Sequence, residues 1–150
     1  MYPQSLDQWY RDNIAQDFPD LRTEISTLLQ VEAELQEIVQ LVGSDALPID
    51  QQLTLEVARM IREFFLQQNA FHDVDTFSDL KLQYEMAKAI LTFQAEAKKA
   101  IAGGALLEDV VNIPARTDLM RGRFEKGYQE KINQMISDMS KQISESLEVN

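Results

Sequence analysis

Apolar residues recur every three or four positions over most of the chain, and the breaks between those runs mark where helices should end. From residue 19 to 42, Leu28, Val31, Leu35, Ile38, Val39 and Val42 form one stripe, with Glu24, Glu32, Glu34 and Glu37 mostly off it. Pro19 suits a first helical turn, and Gly43 suits the position just past the end. After a loop over 44–50 the spacing resumes with Leu53, Val57, Met60, Ile61, Phe64 and Phe65. Two long helices joined by so short a connection predict an antiparallel helical hairpin. Residues 69–77, with His72, Asp73 and Asp75, break the period and read as an ordered loop. Ser78 suits the N-cap of a third helix running to about Ala102, with Leu80, Tyr84, Ala87, Ile90, Leu91 and Ile101 inward and Gly103-Gly104 ending it. A short helix over 106–111 and a turn opened by Pro114 through 117–120 follow. The last helix, 124–147, carries Tyr128, Ile132, Met135, Ile136, Met139, Ile143 and Leu147 on a stripe that something must cover. The fold class is therefore all-α: a helical bundle on a long antiparallel hairpin, with a further long helix, short helices and a C-terminal helix.

The first eighteen residues are the exception to this reading. Trp9, Tyr10 and Phe18 stand on a Gln/Asp-rich segment that resembles a connecting strap across the bundle rather than a core helix. Met1 leads straight into this polar, aromatic stretch, which fits a start placed inside a longer parent protein. The expected division is a connecting segment over 1–18 and a helical domain over 19–150.

Composition narrows the partners. Fourteen Lys and Arg stand against 25 Asp and Glu, a formal charge of −11, which argues against a nucleic-acid or anionic-membrane surface and favours positively charged partners. The absence of cysteine removes disulfides, thiol catalysis and thiolate metal sites. No apolar run approaches the length of a membrane span, and the N-terminus has no signal-peptide core.

The chain lacks a complete catalytic set. A phosphate-binding loop needs glycines ahead of a Lys-Ser/Thr pair, but Gly103-Gly104 is followed by Ala105-Leu106 and reads as a helix end. His72 is the only histidine; Asp73 and Asp75 could orient it, but no nucleophile is marked beside it. One histidine also cannot supply the paired Glu-x-x-His motifs of a bundle metal site. The Glu32, Glu34 and Glu37 group reads as a solvated helix face, and Lys98-Lys99 as complements to a helix C-terminus. Arg121 and Arg123, flanking Gly122, offer a grip for a carboxylate or phosphate. A free-standing adaptor that binds a partner helix along the Met-containing stripe of the last helix is the alternative function.

From Gln30 to Phe77 the chain reads QVEAELQEIVQLVGSDALPIDQQLTLEVARMIREFFLQQNAFHDVDTF. This stretch closely resembles the C-terminal helical domain of the catalytic A subunit of the vacuolar/archaeal-type rotary ATPases. Weaker likeness extends upstream through DFPDLR and downstream to EDVVNIPAR. The region is also similar to the F-type catalytic beta chain, where a glycine, an acidic DELSEED loop and a FLSQPF-like segment occur in the same order. The resemblance implies that the parent protein hydrolyses or makes ATP with Mg, driving rotation of a central stalk and proton or sodium transport. The piece alone, which needs no cofactor, would be a non-catalytic coupling module. The resemblance further implies rotor contact by Ser44, Asp45, Ala46, Leu47, Pro48 and Ile49, and an adenine pocket wall from Phe71 with Ala70 and Phe65. The implied partners are the B subunits of the head and the D and F subunits of the central stalk. The implied location is cytoplasmic, in the soluble head and peripheral to the membrane, and 1–18 becomes the connection from the nucleotide-binding domain.

Overall fold

The computed structural model describes residues 3–70, 76–121 and 128–149. Among them lie seven α-helices and no strand: α1 (Pro3–Asn13), α2 (Phe18–Val42), α3 (Ile49–Ala70), α4 (Thr76–Ala102), α5 (Leu107–Val111), α6 (Pro114–Arg121) and α7 (Tyr128–Val149). The all-α reading stands.

The hairpin of α2 and α3 forms because glycine ends one helix and a short turn starts the next. Gly43 adopts φ +86°, a conformation costly for residues with a Cβ, and its N–H closes on the Val39 carbonyl at 2.8 Å. A 3-10 turn, Ser44–Ala46, follows, and the Gln52 side chain donates to the Leu47 carbonyl at 2.9 Å. Glu32 on α2 and Arg62 on α3 stand equally far in sequence from Leu47 and meet at 2.6 Å, which fixes the helices as antiparallel. At about 1.5 Å per residue each arm is over 30 Å long.

The core is shared by α3, α4 and α7. Leu53, Val57, Met60 and Ile61 of α3 meet Met86, Ala89, Ile90 and Phe93 of α4, and Ile132, Met139 and Ile143 of α7 close the other side. Because α4 is covered on several sides, Leu82, Met86 and Phe93 are buried as well as the expected Ala87, Ile90 and Leu91, and no single stripe describes it. Gly104, at φ +112°, turns the chain into α5. Pro114 opens α6, whose Ala115 N–H finds an acceptor in Gln142 of α7 at 2.9 Å, satisfying a donor at the helix start. Among the described stripe positions of α7, Ile132, Met139 and Ile143 are buried and Tyr128, Met135 and Ile136 pack against the core, so the Met-containing face that an adaptor would have offered is covered there.

Two expectations are corrected. The N-terminal segment is a helix: Tyr10 of α1 is buried edge-on against Phe18 at 5.2 Å, Phe18 meets Tyr84 at 5.9 Å, and the Arg22 guanidinium lies 4.7 Å from the Tyr10 ring centre. This aromatic cluster holds α1 on the start of α2. The expected loop over 69–77 is also corrected at its two ends, because α3 continues through Ala70 and α4 starts at Thr76; residues 71–75, with His72, Asp73 and Asp75, lie outside the described residues.

Burial, with a hydrogen bond to Asp17 and the carboxylates of Asp17 and Glu85, pushes the Tyr84 pKa up to about 12. The folded state favours the neutral phenol, so its contribution is complete below the ordinary value of about 10 and is lost as pH rises toward 12. Ultraviolet titration should show a tyrosine ionising only near pH 12, and Tyr84→Phe should remove that late transition. A native Tyr84 signal near pH 10 would contradict the burial and its bond to Asp17.

Candidate functional site

The described surface is unusual at one end of the hairpin. Leu41 is 85% exposed and Val42 61%, with Ile38 at 44% and Ile49 at 46%, so an apolar patch crowns the turn. These side chains lie beyond Leu35, the last buried residue on α2. Of the residues expected at a rotor contact, Ser44, Asp45, Ala46, Pro48 and Ile49 are exposed, whereas Leu47 is only 6% exposed and tucks under the turn. Leu47 therefore holds the turn's shape from beneath. Ile38 and Val42, read in sequence as core positions, belong to the surface instead, and Leu41 completes it.

Behind the turn, a polar seam runs between the hairpin and the short helices. Glu32, expected on a solvated face, is buried, and its carboxylate accepts from the exposed Arg62. Glu34 and Glu37 are exposed as expected. Arg59 pairs with Glu63 at 3.0 Å along α3. Arg116 of α6 is the most deeply set cation of the seam, its side chain 12% exposed. Its Nη1 donates to the Val111 carbonyl at 3.1 Å, and its Nη2 donates to the Glu56 carbonyl at 3.1 Å and to the Glu56 carboxylate at 3.2 Å. The guanidinium also lies 5.5 Å from the Phe93 ring centre. Burial pushes the Arg116 pKa down, and Glu56 opposes that shift. Sequence reasoning missed this residue. The signal was present: Arg116 shares the inward arc of α6 with Ala115, Leu119 and Met120, an unusual place for an unpaired charge.

An open groove of about 310 Å³ follows the seam from Ser44 and Gln52 to Glu32, Arg62 and Leu107. Its charged groups are already engaged with one another, and no nucleophile faces a base across it. Among the described residues no group of three His, Asp or Glu side chains could hold a metal, and no helix is long and apolar enough to cross a membrane. Lys98 and Lys99 are exposed in the last turns of α4, as a helix C-terminus favours. Of the proposed adenine-wall residues, Phe71 lies outside the described residues, and Phe65 and Ala70 are placed only as backbone positions of α3. The Arg123 side chain lies outside the described residues as well, and Arg121 is placed only as the last backbone position of α6.

Comparison with known proteins supplies what this surface alone does not. Residues 7–111 match the family described as the C-terminal domain of V and A type ATP synthase. The chain is 47% identical over 97% of its length to the A subunit of the A-type ATP synthase of Natronomonas pharaonis, covering 25% of that protein. It is 44% identical over 96% to the corresponding A subunit of Methanosarcina barkeri, again covering 25%. With the V-type ATP synthase alpha chain 1 of Clostridium tetani the identity is 44% over 99% of this chain and 24% of the relative. The chain thus spans about a quarter of the length of the curated relatives it matches.

Proposed function

Since this chain belongs to the family of C-terminal domains of V and A type ATP synthase, we propose that it is the arm through which a parent catalytic protein passes motion between nucleotide chemistry and a rotating central stalk. The parent hydrolyses or makes ATP with Mg and couples that reaction to ion transport; the arm itself contributes no catalytic group. Its partners in this reading are the B subunits of the head and the D and F subunits of the stalk, and the assembly sits at the cytoplasmic face of the membrane. The observation that carries the reading is the apolar turn on a stiff two-helix arm, exposed at Leu41, Val42 and Ile49. A lever needs rigidity along its length and a surface at its end. Burial of Val57, Met60 and Ile61 against α4 supplies the first, and the uncovered end of α2 supplies the second.

The test is coupling in the assembled motor. Asp45→Ala with Asp50→Ala should leave transport per ATP largely intact, because exposed charges at a tethered contact contribute little. Leu41→Ser with Val42→Ser, or deletion of residues 46–49, should let hydrolysis continue while transport and torque fall severalfold. Equal losses from the aspartate pair and from the apolar pair would contradict a contact made chiefly by shape.

A further inference from the structure

The core of the domain closes without α1. Its continuous cluster of buried apolar side chains takes no residue ahead of Leu28, and the earliest side chains packed against it are Leu21 and Ile25 of α2. Tyr10 and Phe18 are buried apart from that cluster, in the ring stack that ends on Tyr84. Among the described side chains of α1, over 6–13, Tyr10 alone is buried, and α1 packs chiefly on α2. The link between the two helices is compact. The N–H groups of Ile14 and Ala15 both donate to the Tyr10 carbonyl, at 2.8 and 3.1 Å, and the Phe18 N–H donates to the Ala15 carbonyl at 3.2 Å. Asp17, which ends the link, accepts a hydrogen bond from the Tyr84 hydroxyl, and Pro19 stiffens the first turn of α2. Tyr10 therefore anchors α1 twice, by its ring and by its carbonyl.

We propose that α1 is a latch: it docks through the Tyr10 ring and opens about the link over 14–17 while α2, α3, α4 and α7 stay folded. Two physical arguments support this. The first is length. α1 has 11 residues, short of the roughly 12–15 at which an isolated helix begins to hold in water, so α1 lifted from α2 also melts. Docking and helix formation are then one event. The second is what opening breaks. It breaks the edge-on contact of Tyr10 with Phe18 at 5.2 Å and the cover of the Arg22 guanidinium over the Tyr10 ring, and it breaks no contact of the core cluster. A segment joined to the rest by so few buried contacts opens locally at a lower free energy than the whole domain. In a longer parent protein the preceding chain would enter through α1. The shut latch would tie that chain stiffly to α2 and α4, and the open latch would leave it slack, with the hairpin unchanged in both states. The inference does not depend on what the turn of the hairpin touches.

The experiment uses this 150-residue chain, whose single tryptophan, Trp9, stands on α1 with its ring edge-on to Tyr10 at 5.8 Å and so reports on the latch alone. Native-state hydrogen exchange read by mass spectrometry should find the α1 amides at least about a hundredfold faster than those in the buried turns of α3 and α4, yet at least about tenfold slower than an unstructured peptide. In urea, Trp9 emission should shift to the red at a lower concentration than the one at which circular dichroism reports loss of the bundle. Tyr10→Ala should speed α1 exchange about tenfold, and Tyr10→Phe, which keeps the ring, should stay within about threefold of the native chain. The exposed Gln8→Ala on the same helix should change it less than about twofold, and exchange in α3, α4 and α7 should stay within about twofold in every variant. Protection of α1 equal to that of α4, or coincident Trp9 and circular-dichroism transitions, would make α1 an integral part of the bundle and overturn the proposal. So would α1 amides exchanging freely in the native chain, since nothing would then be latched. An unaffected α1 in Tyr10→Ala, or a Tyr10→Ala chain whose α3 and α4 exchange as fast as its α1 or that does not fold at all, would equally overturn it.

Discussion

Arg116→Met should lower stability by about 2–3 kcal/mol and the melting temperature by about 5–10 °C. The methionine keeps an apolar stem against Phe93 but leaves the carbonyls of Val111 and Glu56 and the Glu56 carboxylate without their donor. Removing one partner of a largely buried pair costs more than the pair itself contributes, because the other is left desolvated. The loss stays below the largest values known for buried charges, since Glu56 is 27% exposed and Arg59 stands 3.9 Å away as a weaker substitute. Arg116→Lys should recover little, because one ammonium cannot reach two carbonyls and a carboxylate with the planar fork of a guanidinium. Glu56→Gln in the Arg116→Met background should return part of the loss by removing the stranded charge. Thermal denaturation of the four chains decides, and a methionine variant within about 0.5 kcal/mol of the native chain would show that the seam is ornamental.

In the intact parent protein, Phe71→Ala should raise the KM for ATP by about five- to 150-fold while maximal turnover changes less. The expectation follows from the likeness of FFLQQNAF to the F-type FLSQPF-like segment, together with the chemistry of a purine base. A base stacked on an aromatic ring gains roughly 1–3 kcal/mol, which sets the range. The ring would touch the base and not the transferring phosphoryl group, so its contribution is the same in ground and transition states and appears in KM. The neighbouring Ala70 leaves room for that approach, and Phe65 stands earlier on α3. Steady-state kinetics at varied ATP is the check, and an unchanged KM would return Phe71 to the hydrophobic core.

Helix order was legible from periodicity, and the reason is physical. Each of α2, α3 and α7 is covered chiefly on one side, so Leu28 and Leu35, Leu53 and Val57, and Ile132, Met139 and Ile143 fall on one helical face. Gly43 announced the turn because few other residues adopt its φ. Periodicity failed where it assumed a partner along the whole stripe: Ile38 and Val42 continue the spacing of α2 but stand exposed beyond Leu35, its last buried residue. It also could not show that Leu47, one residue among exposed neighbours, turns inward, or that Glu32 is buried by an arginine thirty positions on. The seam at Arg116 joins residues sixty positions apart, and no local pattern encodes that meeting. α1 was hidden for a similar reason, since its anchor is a ring cluster assembled from Tyr10, Phe18 and Tyr84 on three different helices. The expectation of an adenine wall rests on family likeness alone, because a phenylalanine near a helix end has the same sequence signature whether it meets a base or a leucine.

Whether the apolar turn touches the moving stalk is the central question, and proximity tests it more directly than any rate. This chain has no cysteine, so a single Leu41→Cys introduces the only thiol within it. Labelled with a short photoreactive group in the assembled complex, that position should cross-link to the central stalk, whereas Glu24→Cys, roughly 25 Å back along the same helix, should not. The Leu41 yield should also change between complexes held without nucleotide and complexes turning over ATP, as the stalk presents different faces. Cross-links from Glu24 as strong as those from Leu41, or from Leu41 only to neighbouring proteins of the head, would contradict a rotor contact at this turn.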